Sequence, residues 1–568
     1  MDKLILLLLI STAFVVAQAK VVLPNYITDN MVVQRNSVMK ITGHASSGSK
    51  VNVIAGWDSR SREVKADSEG KFDISLDTPD AGGPYSIIIA DKDSKVKVGN
   101  VLSGELWLCS GQSNMEFPVD GWTSVMDADH VVSTARNPDI RLLQVKKRVA
   151  FSPQDDIETN MGGWVEAAPN TMDFSAIAYL YAKELRDSLK VPVGVIDATW
   201  GGTPAEAWTS YGFLKGVPGF EGELSAMESC GFDASRLREN YEKEMGVWMK
   251  LAQKGGEEIR PGDKLTGNVL PADYFERIGF GNGFDGIVWV QKEIDVPAED
   301  AGKPMTLKLG AIDDEDVTYL NGVDFSSLPK KPASIEGSSY PTVLYNAMIH
   351  PLRNLPIKGV LWYQGCANVG RAEQYETLFK SLINNWRDTW DSEFPFYFVQ
   401  LAGWLAPHSV QPDSEWAALR NAQSKALQLP NTAMVSAIDL GNPGDIHPRD
   451  KQTVAHRLAL TALGRDYGFD TNYKAPQCIS MQKMGNKIVL KFDDDLTATS
   501  VAILGFIIGD ADGDFDQAVA RMADSRTLEL YSPLVKKPVC VRYDWADFPN
   551  GNLYSRHGIP VAPFATDK

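Results

Sequence analysis

The chain has few cysteines, and their spacing is not that of a metal site. The five are Cys109, Cys230, Cys366, Cys478 and Cys540, in a chain of 568 residues. Structural zinc sites bring their ligands in closely spaced pairs such as Cys-x-x-Cys. No such pair occurs here. We therefore expect no zinc site, and we predict that the protein uses no cofactor.

Basic residues are also fewer than acidic ones. Lysine and arginine number 56 against 73 aspartates and glutamates, which gives a formal net charge of -17. Nucleic acids and anionic membrane surfaces attract basic proteins through their phosphate groups. We therefore expect no nucleic-acid partner. An acidic ligand would have to be held by local cationic or hydrogen-bonding groups.

Long apolar runs are missing after the first few residues. Residues 4–16 are apolar apart from Ser11 and Thr12, follow Lys3 and precede Ala-Gln-Ala at 17–19, which is the pattern of a signal peptide and its cleavage site. The run is shorter than the roughly 20 residues that a membrane-spanning helix needs. We therefore predict a signal peptide at 1–19, an exported protein that is periplasmic or secreted, and no stable membrane span.

Strand-like and helical patterns divide the rest of the chain into segments. Residues 20–100 contain short β-branched runs between turns, which predicts an N-terminal β-sandwich of the immunoglobulin type. Apolar runs alternate with helical periodicity over 101–209 and again over 336–474, which predicts an α/β core with a parallel sheet. Residues 210–335 interrupt this core as a partly β insertion. Residues 475–568 are predicted to be β-rich.

A serine on a turn after a buried strand is the centre of the predicted chemistry. Residues 106–109 are apolar, and residues 110–114 read Ser-Gly-Gln-Ser-Asn. The strand fixes the backbone while the turn presents the hydroxyl of Ser113, as a nucleophile requires. His447 follows another apolar run, in the sequence Asp-Ile-His-Pro, and an imidazole titrates near neutrality. We predict that Ser113 is the nucleophile and His447 the general base.

Other residues are predicted to orient the base and to stabilise the oxyanion. Asp445 lies two residues before the histidine and is the predicted orienting acid. Asp439 is one alternative, and a backbone carbonyl that orients the imidazole is another. Gly202 and Asn368 both follow apolar runs, so both are expected at the carboxyl edge of the sheet. With the amide of the serine, they are the predicted oxyanion donors.

Three residues near these positions are predicted to bind substrate. Gln112 precedes the serine, and Trp362 and Gln364 precede Asn368. Amide groups can hydrogen-bond to polar groups of a substrate, and an indole ring can stack on an apolar face of one. For Trp362, packing in the core is the alternative.

The blocks that carry these residues resemble the sialate O-acetylesterase family of the SGNH hydrolase superfamily. They are LWLCSGQSNMEFPV, DATWGGTPAEAW, YNAMIHPL with IKGVLWYQG, DIHPRDKQTVAHRLAL and, near the C terminus, VRYDWADFPNGNLY. The resemblance implies an SGNH-type, flavodoxin-like core of three layers. It also implies a serine carbohydrate esterase that removes O-acetyl groups from sialic acids through an acetyl-enzyme.

The chain departs from the family pattern in three places. The family usually reads Trp-Tyr-Gln-Gly-Glu-Ser-Asn, and here Cys366 and Ala367 replace Glu and Ser. Most SGNH enzymes place the acid three residues before the histidine, where this chain has Gly444. Residues 310–322 resemble part of the family's jelly-roll insertion, whose other strands are not found. Two alternatives therefore stay open: an acetyl esterase of plant polysaccharides, and a non-catalytic glycan-binding protein on an esterase scaffold.

Overall fold

The structure, a computed structural model, describes two compact units of the chain. The described residues are 20–255, 319–320, 323–324, 335 and 337–567. The first unit comprises Met1–Asp233 and Glu336–Lys568, and the second comprises Ala234–Ile335, inside the predicted insertion. The predicted signal peptide and most of the predicted strands of the insertion lie outside the described residues.

Seven strands form the N-terminal segment and lead into the core. In chain order they are β1 (Val32–Gln34), β2 (Val38–His44), β3 (Lys50–Ala55), β4 (Ser61–Lys65), β5 (Lys71–Asp77), β6 (Gly82–Ala90) and β7 (Lys95–Gly111). The antiparallel pairs are β2 with β5, β3 with β4 and β6, and β6 with β7. β7 has 17 residues and crosses the predicted border at residue 100. Its first half pairs with β6 and β1, and its second half enters the core sheet.

The first part of the core alternates strands with helices, as predicted. Its elements are α1 (Ser113–Glu116), α2 (Ala128–Ser133), β8 (Asn137–Gln144), β9 (Val165–Ala167), α3 (Ala176–Leu189), β10 (Val193–Thr199), α4 (Tyr211–Leu214) and α5 (Glu221–Ser229). The helix that periodicity predicts over residues 175–189 is α3. The Ser175 hydroxyl caps it by accepting a hydrogen bond from the Ala178 amide at 3.2 Å, because the first amides of a helix lack partners within it.

In the second unit, the described elements are one long helix and one short pair of strands. They are α6 (Ala234–Gly255), β11 (Tyr319–Leu320) and β12 (Val323–Asp324). The two strands pair antiparallel. Most of the insertion, predicted to be partly β, lies outside the described residues.

The second part of the core returns to the alternation of strands and helices. Its elements are β13 (Gly359–Tyr363), α7 (Ala372–Trp390), β14 (Phe396–Gln400), α8 (Glu415–Ser424), β15 (Thr432–Ser436) and α9 (Lys451–Asp466). α3 packs against α9, and α7 packs against α8. Of the helices in the described ranges, none combines the length and the apolar character needed to cross a membrane.

One sheet organises the core, in the strand order β15-β14-β13-β7-β10-β8-β9. All neighbours run parallel except β9, which is antiparallel to β8. Every residue of β10, β13 and β14 is buried, as expected for central strands whose two faces are both covered. From β7 the chain builds towards β10 on one side and towards β13 on the other. The predicted α/β class is confirmed, and the order of the sheet reverses at β7.

The C-terminal segment is rich in strands, as predicted. It contains β16 (Cys478–Met484), β17 (Lys487–Phe492), β18 (Leu496–Ala498), β19 (Phe506–Gly509), β20 (Phe515–Gln517), β21 (Val519–Asp524), β22 (Thr527–Tyr531), β23 (Cys540–Tyr543), β24 (Leu553–Ser555) and β25 (Phe564–Ala565). Two four-stranded antiparallel sheets form, in the orders β16-β17-β22-β21 and β20-β19-β23-β25. Their apolar faces share one core that includes Leu490, Phe506 and Leu528.

Candidate active site

The predicted nucleophile and base meet at the carboxyl edge of the core sheet. Ser113 begins α1 directly beyond β7, and His447 lies on the loop between β15 and α9. The His447 Nε2 atom is 2.8 Å from the Ser113 Oγ atom. This is hydrogen-bonding distance, so the imidazole is placed to take the hydroxyl proton.

The turn into α1 depends on a glycine. Gly111 has a φ of +138°, and a Cβ there would lie 2.2 Å from the Tyr363 carbonyl oxygen. The same carbonyl accepts a hydrogen bond from the Gln112 amide at 3.1 Å. Because only glycine permits so close an approach, the ends of β7 and β13 stay together and Ser113 lies just beyond them.

His447 lies in surroundings that keep it neutral. Burial lowers the pKa of His447 below its usual value, and the charge of Lys451 lowers it further. The nearby carboxylate of Asp445 acts in the opposite direction. A neutral imidazole is the form that accepts a proton, so these surroundings favour the general-base role.

The predicted orienting acid stands close to the imidazole but does not bond to it directly. The Asp445 Oδ1 atom accepts a hydrogen bond from the His447 backbone amide at 2.9 Å. The same oxygen is 3.6 Å from His447 Nδ1, which is too long for a hydrogen bond. In this geometry Asp445 holds the backbone of the loop and acts on the ring through its charge.

The alternative acid, Asp439, is committed elsewhere. Its two carboxylate oxygens accept hydrogen bonds from the Arg457 guanidinium at 2.8 and 2.7 Å. The side chain of Arg457 is buried, and bidentate pairs of arginine with a carboxylate are among the stronger ion pairs. This pairing occupies Asp439, and it leaves Asp445 as the carboxylate beside the imidazole.

Gly202 presents an open amide next to the nucleophile. Its φ is +74°, and a side chain there would meet no atom within 4 Å. Its neighbour Gly201 passes close to the serine, since a Cβ on Gly201 would lie 3.2 Å from the Ser113 Cβ. Among the described residues, none accepts a hydrogen bond from the Gly202 amide. This amide is therefore available to an oxyanion.

Asn368 is buried, and its amide orientation is fixed by three hydrogen bonds. Its Oδ1 atom accepts from Gln364 Nε2 at 2.7 Å and from the Ala205 amide at 3.0 Å. Its Nδ2 atom donates to Glu206 Oε2 at 2.9 Å. A side-chain amide carries two hydrogens on nitrogen, so Asn368 keeps one donor for the predicted oxyanion.

The three residues predicted to bind substrate are all buried. The Gln112 Oε1 atom accepts from the amides of Gly365 and Ala367 at 3.1 and 3.3 Å. Trp362 packs edge-on against neighbouring indole rings in the core. Gln364 bonds to Asn368, as described above. These side chains support the loop of Asn368, and their burial does not favour the predicted contact with a sugar.

Sequence reasoning missed a carboxylate that joins the serine helix to the glycine loop. Glu116 Oε2 accepts from the Gly201 amide at 2.6 Å, and Glu116 Oε1 is 2.5 Å from Lys147 Nζ. Lys147 in turn lies 5.8 Å from the centre of the Trp200 ring. Because Glu116 lies three residues after Ser113, on the same helical turn, its position in the motif was a usable signal.

Trp122 is a second residue that sequence reasoning missed. Its side chain is 57% exposed, and its ring meets the His447 ring edge-on, with the centres 5.7 Å apart. Phe117 supports it from within, at 5.6 Å. The sequence around Trp122 has no periodicity that would have marked it. An exposed indole therefore lies beside His447, whereas Trp362, the predicted substrate-binding indole, is buried.

Comparisons with known proteins agree on one family. Residues 332–463 match the family described as carbohydrate esterase, sialic acid-specific acetylesterase. The chain is 28% identical over 477 residues to the sialate O-acetylesterase of Mus musculus, with 78% of this chain and 73% of that protein covered. It is 28% identical over 480 residues to that of Homo sapiens, with coverage of 78% and 71%. A solved carbohydrate acetylesterase from Xanthomonas citri superposes with a TM-score of 0.72 at 30% identity, covering 96% of this chain and 100% of that one.

Proposed function

Because this chain belongs to the sialate O-acetylesterase family of carbohydrate esterases, we propose that it removes O-acetyl groups from sialic acids. The observation that carries the proposal is the 2.8 Å contact between His447 Nε2 and Ser113 Oγ. A serine hydroxyl is a weak nucleophile until a base takes its proton. Membership of the family supports the choice of substrate class, and this contact supports the activation of Ser113 as a nucleophile.

The reaction proceeds in two steps through an acetyl-enzyme. Ser113 Oγ attacks the acetyl carbonyl carbon while its proton passes to His447 Nε2. The tetrahedral intermediate collapses, and the sugar oxygen leaves with the proton from His447. Water then attacks the acetyl group as His447 takes its proton, and the collapse of the second intermediate releases acetate and restores the Ser113 hydroxyl.

Charge develops on two atoms during each step, and the site has groups for both. The carbonyl oxygen becomes an oxyanion, for which the amides of Ser113 and Gly202 and the side chain of Asn368 are the proposed donors. The imidazole becomes an imidazolium, which the carboxylate of Asp445 stabilises from 3.6 Å. The rate enhancement therefore comes from hydrogen-bond donors and charge that are in place before the substrate binds.

The strand order supports the finer proposal of an SGNH-type, flavodoxin-like core. Numbered along the chain, β7, β10, β13, β14 and β15 lie in the sheet order 2-1-3-4-5, with β8 and β9 added at one edge. In such sheets ligands bind where the order reverses, beyond the carboxyl ends of the strands. Ser113 follows β7 and Asn368 follows β13, which are the two strands at that point.

The surroundings of the serine suit an acidic sugar. Trp122 is the exposed ring beside His447, and stacking of a sugar on an indole face buries apolar area on both partners. Lys147 lies at the glycine loop, over the Trp200 ring at 5.8 Å, and its ammonium group is paired with Glu116 at 2.5 Å. A carboxylate-bearing sugar bound to a chain of net charge -17 would therefore stack on Trp122 and would share Lys147 with Glu116. We also propose that the protein is exported, since residues 1–19 have the pattern of a signal peptide.

The test is acetate release from O-acetylated sialic acid by the purified protein, with Ser113→Ala as the control. We expect the wild-type protein to release acetate. We expect kcat of the variant to be lower by about 10⁶-fold, because the residues of a catalytic unit act together. Circular dichroism should show the same fold in both proteins. If acetate were released only from acetylated xylan, the substrate would be a plant polysaccharide instead of a sialic acid. Glycan binding without any release would overturn the proposal in favour of a binding protein.

A further inference from the structure

A buried lysine lies behind the catalytic pair. Lys451 is the first residue of α9 and is 1% exposed. Its Nζ atom lies 2.5 Å from Asn114 Oδ1 and 4.6 Å from the centre of the Phe117 ring. The Tyr363 ring lies 5.7 Å away. Among the described residues, Asn114 is the one hydrogen-bond acceptor for this ammonium group.

This position is unfavourable for a lysine on general grounds. Burying an ammonium group is costly unless its charge is paired and its donors are bonded. The N-terminus of a helix carries partial positive charge and disfavours a cation. Burial accordingly lowers the pKa of Lys451 to about 7. Packing alone would be served better by a methionine or a leucine, so the ammonium group needs another explanation.

Asn114 connects the nucleophile to the base. It follows Ser113 directly, and its Nδ2 atom donates to the Ile446 carbonyl oxygen at 3.0 Å. Ile446 in turn precedes His447. A side-chain amide can bind in either of two orientations that exchange its oxygen and nitrogen. Lys451 is only a donor, so it selects the orientation in which oxygen faces the lysine and nitrogen faces the Ile446 carbonyl.

We propose that Lys451 is a positioning residue, whose ammonium group fixes the Asn114 amide and so holds the loop of His447 against Ser113. This inference rests on the proposed esterase function. Without the ammonium group, the buried Asn114 oxygen would be an acceptor without a donor, which is costly. The amide would shift to satisfy that oxygen at the expense of its bond to the Ile446 carbonyl, the loop would move away, and the contact between Ser113 and His447 would lengthen.

The lysine also affects the protonation of the base. The charged groups that act on His447 are Lys451, Asp445 and Glu116, and those that act on Lys451 include Asp445 and Asp450, with the Cys366 thiol nearby. Lys451 is protonated below about pH 7, which covers the range in which a histidine of lowered pKa takes up its proton. Removing this charge raises the pKa of His447, so the acid limb of the pH profile moves to higher pH.

The experiment compares Lys451→Met with Arg457→Met. Both replace a buried cation on α9 by a side chain of similar length, but Arg457 bonds to Asp439 and not to Asn114. For Lys451→Met we expect kcat to fall about 100-fold, the size of a misplacement of about 1 Å, with KM unchanged and the acid limb shifted upwards. For Arg457→Met we expect a lower melting temperature but nearly wild-type kcat. Equal losses of kcat in both variants would reduce Lys451 to a structural role and overturn the inference.

A second variant decides the question if Lys451→Met does not fold. Asn114→Asp has the same shape and keeps the oxygen that faces Lys451, but it replaces the donor to the Ile446 carbonyl by an acceptor. We expect a folded protein whose kcat falls as it does in Lys451→Met. A wild-type kcat in this variant would overturn the inference.

Labelling of Ser113 with a fluorophosphonate separates this inference from the proposed function. The reagent reports whether the serine is activated, whatever the natural sugar is. If the wild-type protein is not labelled, the proposed function fails. If the wild-type protein and the Lys451→Met variant are labelled at the same rate, the proposed function stands and the role of Lys451 is refuted. Slower labelling of the variant than of the wild-type protein supports both the proposed function and the positioning role of Lys451.

Discussion

Replacing Asp445 by Asn tests how a carboxylate without a direct bond to the imidazole contributes to the reaction. The substitution keeps the size of the side chain and an oxygen that can still accept from the His447 backbone amide, now at 2.9 Å. What it removes is the negative charge 3.6 Å from His447 Nδ1. The loop should therefore stay in place while the imidazolium that forms during the reaction loses its counter-charge.

The size of the effect follows from this distance and from exposure. For two unit charges at 3.6 Å, Coulomb's law gives about 1 kcal/mol at an effective dielectric constant of ~80 and about 5 kcal/mol at ~20. The side chain of Asp445 is 49% exposed, so water screens much of the interaction. A loss of about 2 kcal/mol corresponds to a fall in kcat of about 30-fold. This is far less than the roughly 10⁴-fold loss caused by removing a buried acid that bonds to the imidazole.

The assay is the steady-state hydrolysis of a chromogenic acetate by Asp445→Asn and Asp439→Asn. We expect the first variant to lower kcat with little change in KM. The second should lower the melting temperature, because it weakens the pair with Arg457, and should leave kcat nearly unchanged. A reversal of the two results would make Asp439 the acid. If neither variant lowers kcat, a backbone carbonyl orients His447 and the site is a Ser-His dyad.

Two further substitutions test the oxyanion donor and the sugar-binding ring. Asn368→Ala should lower kcat for the chromogenic acetate by about 10²–10³-fold, the usual effect of losing one oxyanion donor; a rise in KM alone would instead make Asn368 a binding residue. Trp122→Ala should raise KM for O-acetylated sialic acid about 3–10-fold, since an aromatic contact contributes about 0.5–1.5 kcal/mol. The rise should be smaller for ethyl acetate, which has no ring to stack, and equal effects on the two esters would argue against a stacking role.

The residues that follow strands were predictable because the strands themselves were. The apolar runs before Ser113, Gly202 and Asn368 are long enough to indicate buried parallel strands, and the carboxyl ends of such strands share one edge. The contact between Ser113 and His447 followed from that logic, together with the family motifs. The sequence therefore indicated that Ser113 and His447 would lie close together, and the structure places them 2.8 Å apart.

The aromatic residues were not predictable in the same way. Trp362 lies in β13, where all five residues are buried, whereas Trp122 lies in a loop without any repeat. A tryptophan in a strand next to a motif looks like a sugar-binding residue, but a central parallel strand is covered on both faces. Only the path of the loop after α1 shows that Trp122, and not Trp362, stands beside His447.

The choice between Asp439 and Asp445 also needed the structure. Both follow β15 closely, and the shorter spacing to the histidine favours Asp445 without excluding Asp439. The deciding residue is Arg457, which lies 18 residues after Asp439 and bonds to it because of where α9 packs against the sheet. Such long-range pairing depends on the relative position of two elements, which local sequence patterns do not encode.

The continuous path of β7 limits how this protein could have been assembled during evolution. One strand serves two architectures, because it pairs with β6 and β1 at its start and with β10 and β13 at its end. The change of partners falls at Gly104, where a side chain would lie 2.0 Å from the Pro192 carbonyl oxygen. A gene fusion at residue 101 would cut through this strand and leave residues 101–104 without their partners in β1 and β6. The N-terminal β-rich segment could thus not be replaced by another domain without disrupting β7. We expect this segment and the α/β core to have been inherited together.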